Sequence, residues 1–158
     1  MEYLKITKKG SLNIKMPKPD KELMMIIGNE SKNHFLKGFR HNGGQTNASK
    51  GGWKPRKRPY HYEKIGGKWR RKSDIGKNIL VQSGTLRRSI TVKRVTSREA
   101  IIGTEGVKYA KIHNEGLMGS AFGKYPFKMP KREFIGRSTI LENKIKRIIE
   151  KHLKPKNK

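Results

Sequence analysis

The chain has 158 residues, enough for one domain or one domain with an arm. Only 32% are hydrophobic, and 39 Lys and Arg stand against 12 Asp and Glu, a formal charge of +27. That composition excludes a large apolar core, and the lack of cysteine excludes disulfides and thiolate metal sites.

Residues 1–18 alternate weakly, with Tyr3, Leu4, Ile6, then Leu12, Ile14 and Met16 as the apolar positions, and read as one strand or an extended arm that Pro17 and Pro19 stop. Residues 20–37 read as a helix. Asp20 is its cap, Met24, Ile27, Ser31 and Phe35 share one face, Leu23 and Ile26 widen it, and Gly38 stops it. From 39 to 78 the periodicity breaks. Gly43-Gly44, Gly51-Gly52 and Gly66-Gly67 punctuate a loop in which eleven Lys and Arg fall between Lys50 and Lys77, with Trp53, Tyr60, Tyr62 and Trp69 among them. A loop this long is either functional or an arm that orders on a partner.

Ser83 to Ser89 reads as a short helical turn, followed by a hairpin whose strands hold Ile90, Val92 and Val95 and then Ala100 to Thr104. Val107 to Glu115 reads as a short helix with Tyr109, Ala110 and Ile112 facing inward, ended by Gly116. Residues 117–130 read as loop. A last helix starts near Ser138 or Thr139, where Thr139 and Glu142 fit a capping box, and its stripe is Leu141, Ile145, Ile148, Ile149 and His152 or Leu153. The order predicts an α+β fold: a small antiparallel sheet with a long N-terminal and a C-terminal helix.

Function classes narrow next. Self-repulsion at +27 opposes compaction, so an anionic neighbour is expected: nucleic acid, an acidic protein surface or counterions. No apolar run approaches the roughly 18 residues of a membrane span. Met1 to Lys5 lacks the apolar stretch of a signal peptide, so the chain reads as made in the cytoplasm. Paired carboxylates, a phosphate-cradling glycine loop and a nucleophile with a spaced base are all missing. His34, His41, His61 and His152 do not complete a metal site around His113.

Four blocks in order resemble the phage virion morphogenesis family, whose members act as tail-completion proteins. They are Ile79-Leu80-Val81-Gln82-Ser83-Gly84-Thr85-Leu86-Arg87-Arg88-Ser89-Ile90, then Ile101-Ile102-Gly103-Thr104, then Tyr109-Ala110-Lys111-Ile112-His113-Asn114-Glu115-Gly116, and last Pro130-Lys131-Arg132-Glu133-Phe134-Ile135-Gly136. Trp53-Lys54-Pro55 is similar to an upstream family W-x-P. Residues 117–129, an insertion, and the basic enrichment of 50–78 depart from the pattern.

The resemblance implies a single tail-completion-like domain over 1–158; composition makes 39–78 a basic Gly- and aromatic-rich loop or arm and 154–158 a basic tail. It implies a structural subunit of the tail end or head–tail neck, without catalysis or cofactor. It also implies a homo-oligomeric ring whose partners are other tail or neck proteins, located in the virion and assembled in the host cytoplasm.

The residues leave several roles open. Ser83, Gly84 and Leu86 read as cap, tight entry and core plug, and Arg87 and Arg88 as solvated or as pairs to carboxylates of a neighbouring subunit. Tyr109 and His113 are i, i+4 neighbours. The imidazole reads first as a packing or hydrogen-bonding group, with interface contact and catalysis behind it. Phe134 is a core anchor, and Arg132 fixes its loop or meets a partner. Residues 50–72, with Trp53, Arg56, Lys57, Arg58, Trp69, Arg70 and Arg71, suit nucleic-acid phosphates and bases, a partner-binding arm, or a solvated loop. The first of these carries the alternative function, a nucleic-acid-binding module that uses 50–72; it can coexist with the arm reading, with packaged DNA as a further contact of a neck subunit.

Overall fold

The computed structural model describes residues 4–7, 11–15, 20–57, 60–121 and 123–153. The expected basic tail 154–158 and Arg58 lie outside them.

Strands β1 (Leu4–Thr7), β2 (Ser11–Lys15), β5 (Ile90–Val95) and β6 (Glu99–Thr104) form one antiparallel sheet in the order β1-β2-β6-β5. The first 18 residues thus hold two strands where one was expected, and β2 pairs Leu12 with Ile102 and Ile14 with Ala100. In the β5–β6 hairpin the register shifts between Val92 and Arg94, and Thr96 Oγ1 accepts from the Glu99 N–H at 3.0 Å to close the turn.

Helix α1 (Lys21–Gly38) starts where Asp20 Oδ1 accepts from the Leu23 N–H at 2.9 Å. Leu23, Met24, Ile27, Ser31, His34 and Phe35 are its buried face. Ile26 instead points outward, because Gly28 occupies the seam against the sheet: a β-carbon there would stand 3.2 Å from Val92 Cγ1. Helix α4 (Thr139–Leu153) buries Leu141 and Ile145 and runs antiparallel to α1. Three contacts fix that direction: His34 to Ser138, Glu30 to Lys144, and Asp20 to His152. The cap of α4 is Ser138, whose Oγ accepts from the Leu141 N–H at 3.2 Å. The expected Thr139–Glu142 box does not form, because Asn47 takes the Thr139 amide and Glu142 pairs with Arg137.

Residues 39–78 are not one loop. Residues 39–57 lie on the body, where the Trp53 ring packs edge-on to Phe39 at 5.3 Å and its Nε1 donates to the Glu133 carbonyl at 3.0 Å. Gly43 permits this: with φ 112, any β-carbon would stand 2.8 Å from the Trp53 nitrogen. Strands β3 (Tyr60–Ile65) and β4 (Lys68–Ser73) then form a separate hairpin, turned by Gly66 and Gly67, both at positive φ as the tightest hairpin turns require. The expected loop at 117–130 is also a hairpin, β7 (Met118–Ala121) with β8 (Tyr125–Lys128). The short helices are α2 (Thr85–Arg88) and α3 (Ala110–Glu115). Among the described residues no helix is long and apolar enough to cross a membrane.

Candidate functional site

The motif blocks converge. Gly84, at φ 74, is the cap residue of α2 and lets the chain enter that single turn, while Leu86 plugs the core. Ser83 supports the turn rather than capping it from the side: its Oγ meets Thr85 Oγ1 at 2.9 Å. Tyr109 precedes α3 and is 43% exposed, against the expectation that it faces inward. Asn114 takes the buried place, accepting from the Phe134 and Ile135 amides at 2.9 and 3.0 Å and donating to the Ile135 carbonyl at 3.0 Å. Gly116, at φ 72, ends α3 against Lys131.

Between α2, α3 and the Arg132 loop opens a cleft of about 410 Å³, into which Ser83, Gly84, Leu86, Tyr109, His113 and Arg132 all face. Arg56, Ile79, Leu80, Gln82 and Thr85 complete its wall. Arg132 is 6% exposed. Its Nε donates to the Lys54 carbonyl at 2.9 Å and Nη2 to the Pro55 carbonyl at 3.1 Å, while Nη1 lies 3.9 Å from Met129 Sδ. Arg56 donates to the carbonyls of Asp74, Lys77 and Asn78.

His113 stacks edge-on to Tyr109 at 5.7 Å, and its buried Nδ1 has no hydrogen-bond partner among the described residues. Burial first, and then the Arg132 charge, push the His113 pKa below the usual histidine value. Burial, aided by the Arg56 charge, pulls the Arg132 pKa down, although a guanidinium remains protonated. The cleft therefore offers fixed positive charge, hydroxyls and a neutral imidazole. Among the described residues no group of three His, Asp or Glu side chains gathers to hold a metal ion.

The other named residues lie elsewhere. Trp53 is buried in the core, and Phe134 beneath it packs on Phe39 at 5.6 Å. Lys57 is exposed, and Arg87 and Arg88 sit on α2. Trp69, Arg70 and Arg71 are on β4, every residue of which is exposed. Directly paired residues share a hairpin face, so Tyr60–Ser73, Tyr62–Arg71 and Lys64–Trp69 line up together. The Arg71 guanidinium lies 4.8 Å from the Tyr60 ring centre, and Trp69 and Tyr62 are 65% and 58% exposed. At its base the hairpin is tied by His61 Nδ1 to Asp74 Oδ1 at 3.0 Å.

Sequence reasoning missed Asn114, although it falls inside a motif block. It also missed Leu80, a non-glycine residue at φ 63. Nothing local signals the latter; the Gly66-Gly67 pair was the available signal for the hairpin.

No curated protein and no solved structure matches the chain. The phage virion morphogenesis family matches residues 13–154, nearly the whole length, including all four blocks and the three of them that line the cleft. The chain belongs to the phage virion morphogenesis family, a structural family of phage particle assembly.

Proposed function

We propose that the chain is a non-enzymatic, ring-forming subunit that completes the tail end or the head–tail neck of a phage, with other tail or neck proteins as its partners. The observation that carries this reading is the family match over residues 13–154. The two projecting hairpins support it. They leave Tyr62, Trp69, Met118, Tyr125 and Phe127 exposed, and exposed apolar side chains of this size suit burial against neighbours.

Light scattering on the purified protein, at low and high salt and with tails or heads added, tests the proposal. A discrete multimer, alone or on the particle, is expected. A chain that stays monomeric with assembled tails and heads present overturns it.

A second reading, a nucleic-acid-binding module, rests on the aromatic and cationic face of β3–β4. Aromatic rings beside cations suit bases or sugars next to phosphates. Trp53 is buried, so Trp69 reports binding by its fluorescence. DNA is expected to quench Trp69 with an affinity that falls steeply with salt, and Arg71→Gln to flatten that salt slope. Quenching that is absent at about 0.15 M salt sinks this reading and leaves the first intact.

A further inference from the structure

Three anomalies meet in the motif cleft. The first is charge. Buried charges are ordinarily paired, yet buried Arg132 and half-buried Arg56 form no ion pair among the described residues, and neutral carbonyls with the Met129 sulfur hold them. A guanidinium has five N–H donors. The recorded contacts of Arg132 use three of them, one toward a weak sulfur acceptor. Tying Lys54 and Pro55 to the body accounts for the position of Arg132 but not for its uncompensated charge.

The second is the buried Nδ1 of His113, which has no hydrogen-bond partner among the described residues. The third is backbone strain at Leu80, whose φ of 63 is uncommon for a residue with a side chain. The chain is pinned on both sides of that strain: Asn42 Oδ1 accepts from the Ile79 N–H at 2.6 Å, and the Val81 N–H donates to the Asn78 carbonyl at 3.2 Å. Strain held this firmly fixes Leu80 in the cleft wall, near Leu86 and Tyr109.

We propose that this cleft is a docking site for an acidic side chain flanked by apolar residues, on an extended segment of another virion protein. The identity of the donor as a virion protein rests on the assembly reading; the carboxylate chemistry does not. Charge complementarity selects the carboxylate, which gains most from bidentate guanidinium donors. The apolar wall of Ile79, Leu80 and Leu86 selects its neighbours. A volume near 410 Å³ is at the small end for ligand sites, and it suits a short peptide stretch better than a duplex backbone. Phosphates have a more accessible cationic face on β3–β4.

The test uses the free full-length chain and a capped Leu-Glu-Leu peptide, with capped Leu-Gln-Leu and inorganic phosphate as comparisons. NMR shifts of the Ser83 to Leu86 amides and the His113 ring report binding. The glutamate peptide is expected to shift them saturably. The glutamine peptide, and Arg56→Gln with the glutamate peptide, are each expected to bind about tenfold more weakly, as loss of a charge-assisted contact predicts.

Equal binding of both peptides, or no shift at millimolar peptide, overturns the proposal. Stronger binding of phosphate assigns the cleft to nucleic acid and overturns it too. Shifts that grow with protein concentration alone assign it to a second copy and remove the other protein. Each outcome is read on the free chain, so it stands apart from the particle-mass test of the assembly reading.

Discussion

At the scale of single residues, Asn114 shows how one amide fixes two segments. Its three buried hydrogen bonds hold the backbone of Phe134 and Ile135 against α3. Asn114→Ala leaves two amides and a carbonyl unsatisfied, and a loss of about 3 kcal/mol is expected in denaturant unfolding. Gly116→Ala places a β-carbon 2.8 Å from the Lys131 side chain and 2.9 Å from its backbone, at φ 72. The expected cost is about 2 kcal/mol, read in the same experiment. His34 and His113 set a pH dependence. Burial lowers the pKa of both below the ordinary 6.5. As the pH drops past that value the unfolded chain takes up protons that the folded chain refuses. Their contribution is thus full above 6.5 and is lost as the pH falls through the lowered folded values. The thermal midpoint is expected to fall between about pH 7.5 and 5.5, and His113→Gln to flatten that fall.

At the scale of elements, helices and hairpins were unequally legible. Apolar periodicity marks what is buried, and α1 and α4 each bury one stripe, so both could be read to within a residue or two at their starts. The β3–β4 hairpin buries almost nothing, so its alternation follows no apolar pattern and it read as loop. β7–β8 failed for the same reason, with four exposed positions on β8. Where two local signals competed, packing chose between them: Ser138 caps α4 because it also meets His34 at 3.0 Å. Ser138→Ala removes the cap and that contact together, and a loss of about 2 kcal/mol is expected by thermal or chemical unfolding. Replacing residues 60–73 by a short flexible linker removes an element that adds little to the core. The midpoint is expected to move by only about 3 °C, while binding of labelled DNA, read by fluorescence anisotropy because Trp69 goes with the segment, is expected to weaken at least about tenfold.

At the scale of the whole molecule, charge dominates. Ion pairs such as Lys72–Glu63 and Arg137–Glu142 are largely exposed and contribute little. With +27 left over, repulsion acts across the entire surface. Stability is expected to rise between about 0.05 M and 0.5 M sodium chloride as that repulsion is screened, measured as the denaturation midpoint. The candidate site was legible in its pieces: Ser83, Gly84, Tyr109, His113 and Arg132 stood out singly within their blocks. Their meeting was not legible, since Arg56 and Arg132 are neighbours only through the path of residues 39–57 across the body, and no local signal encodes that path.

Midway along that path lies a clasp. The Asn47 side chain accepts from the Thr139 amide at 3.0 Å, and the Asn47 amide donates to the Arg137 carbonyl at 2.7 Å. The sequence separation of the first of these is 92 residues. On a ribosome adding about 5–20 residues per second, Asn47 waits on the order of 5–20 s for its partner to be made. Throughout that interval Phe39, Trp53 and the inner side of α1 are without the cover that α4 and the Phe134 segment provide. A transcript cut short before codon 139 therefore yields a product without α4, whose core lacks the cover of Leu141 and Ile145.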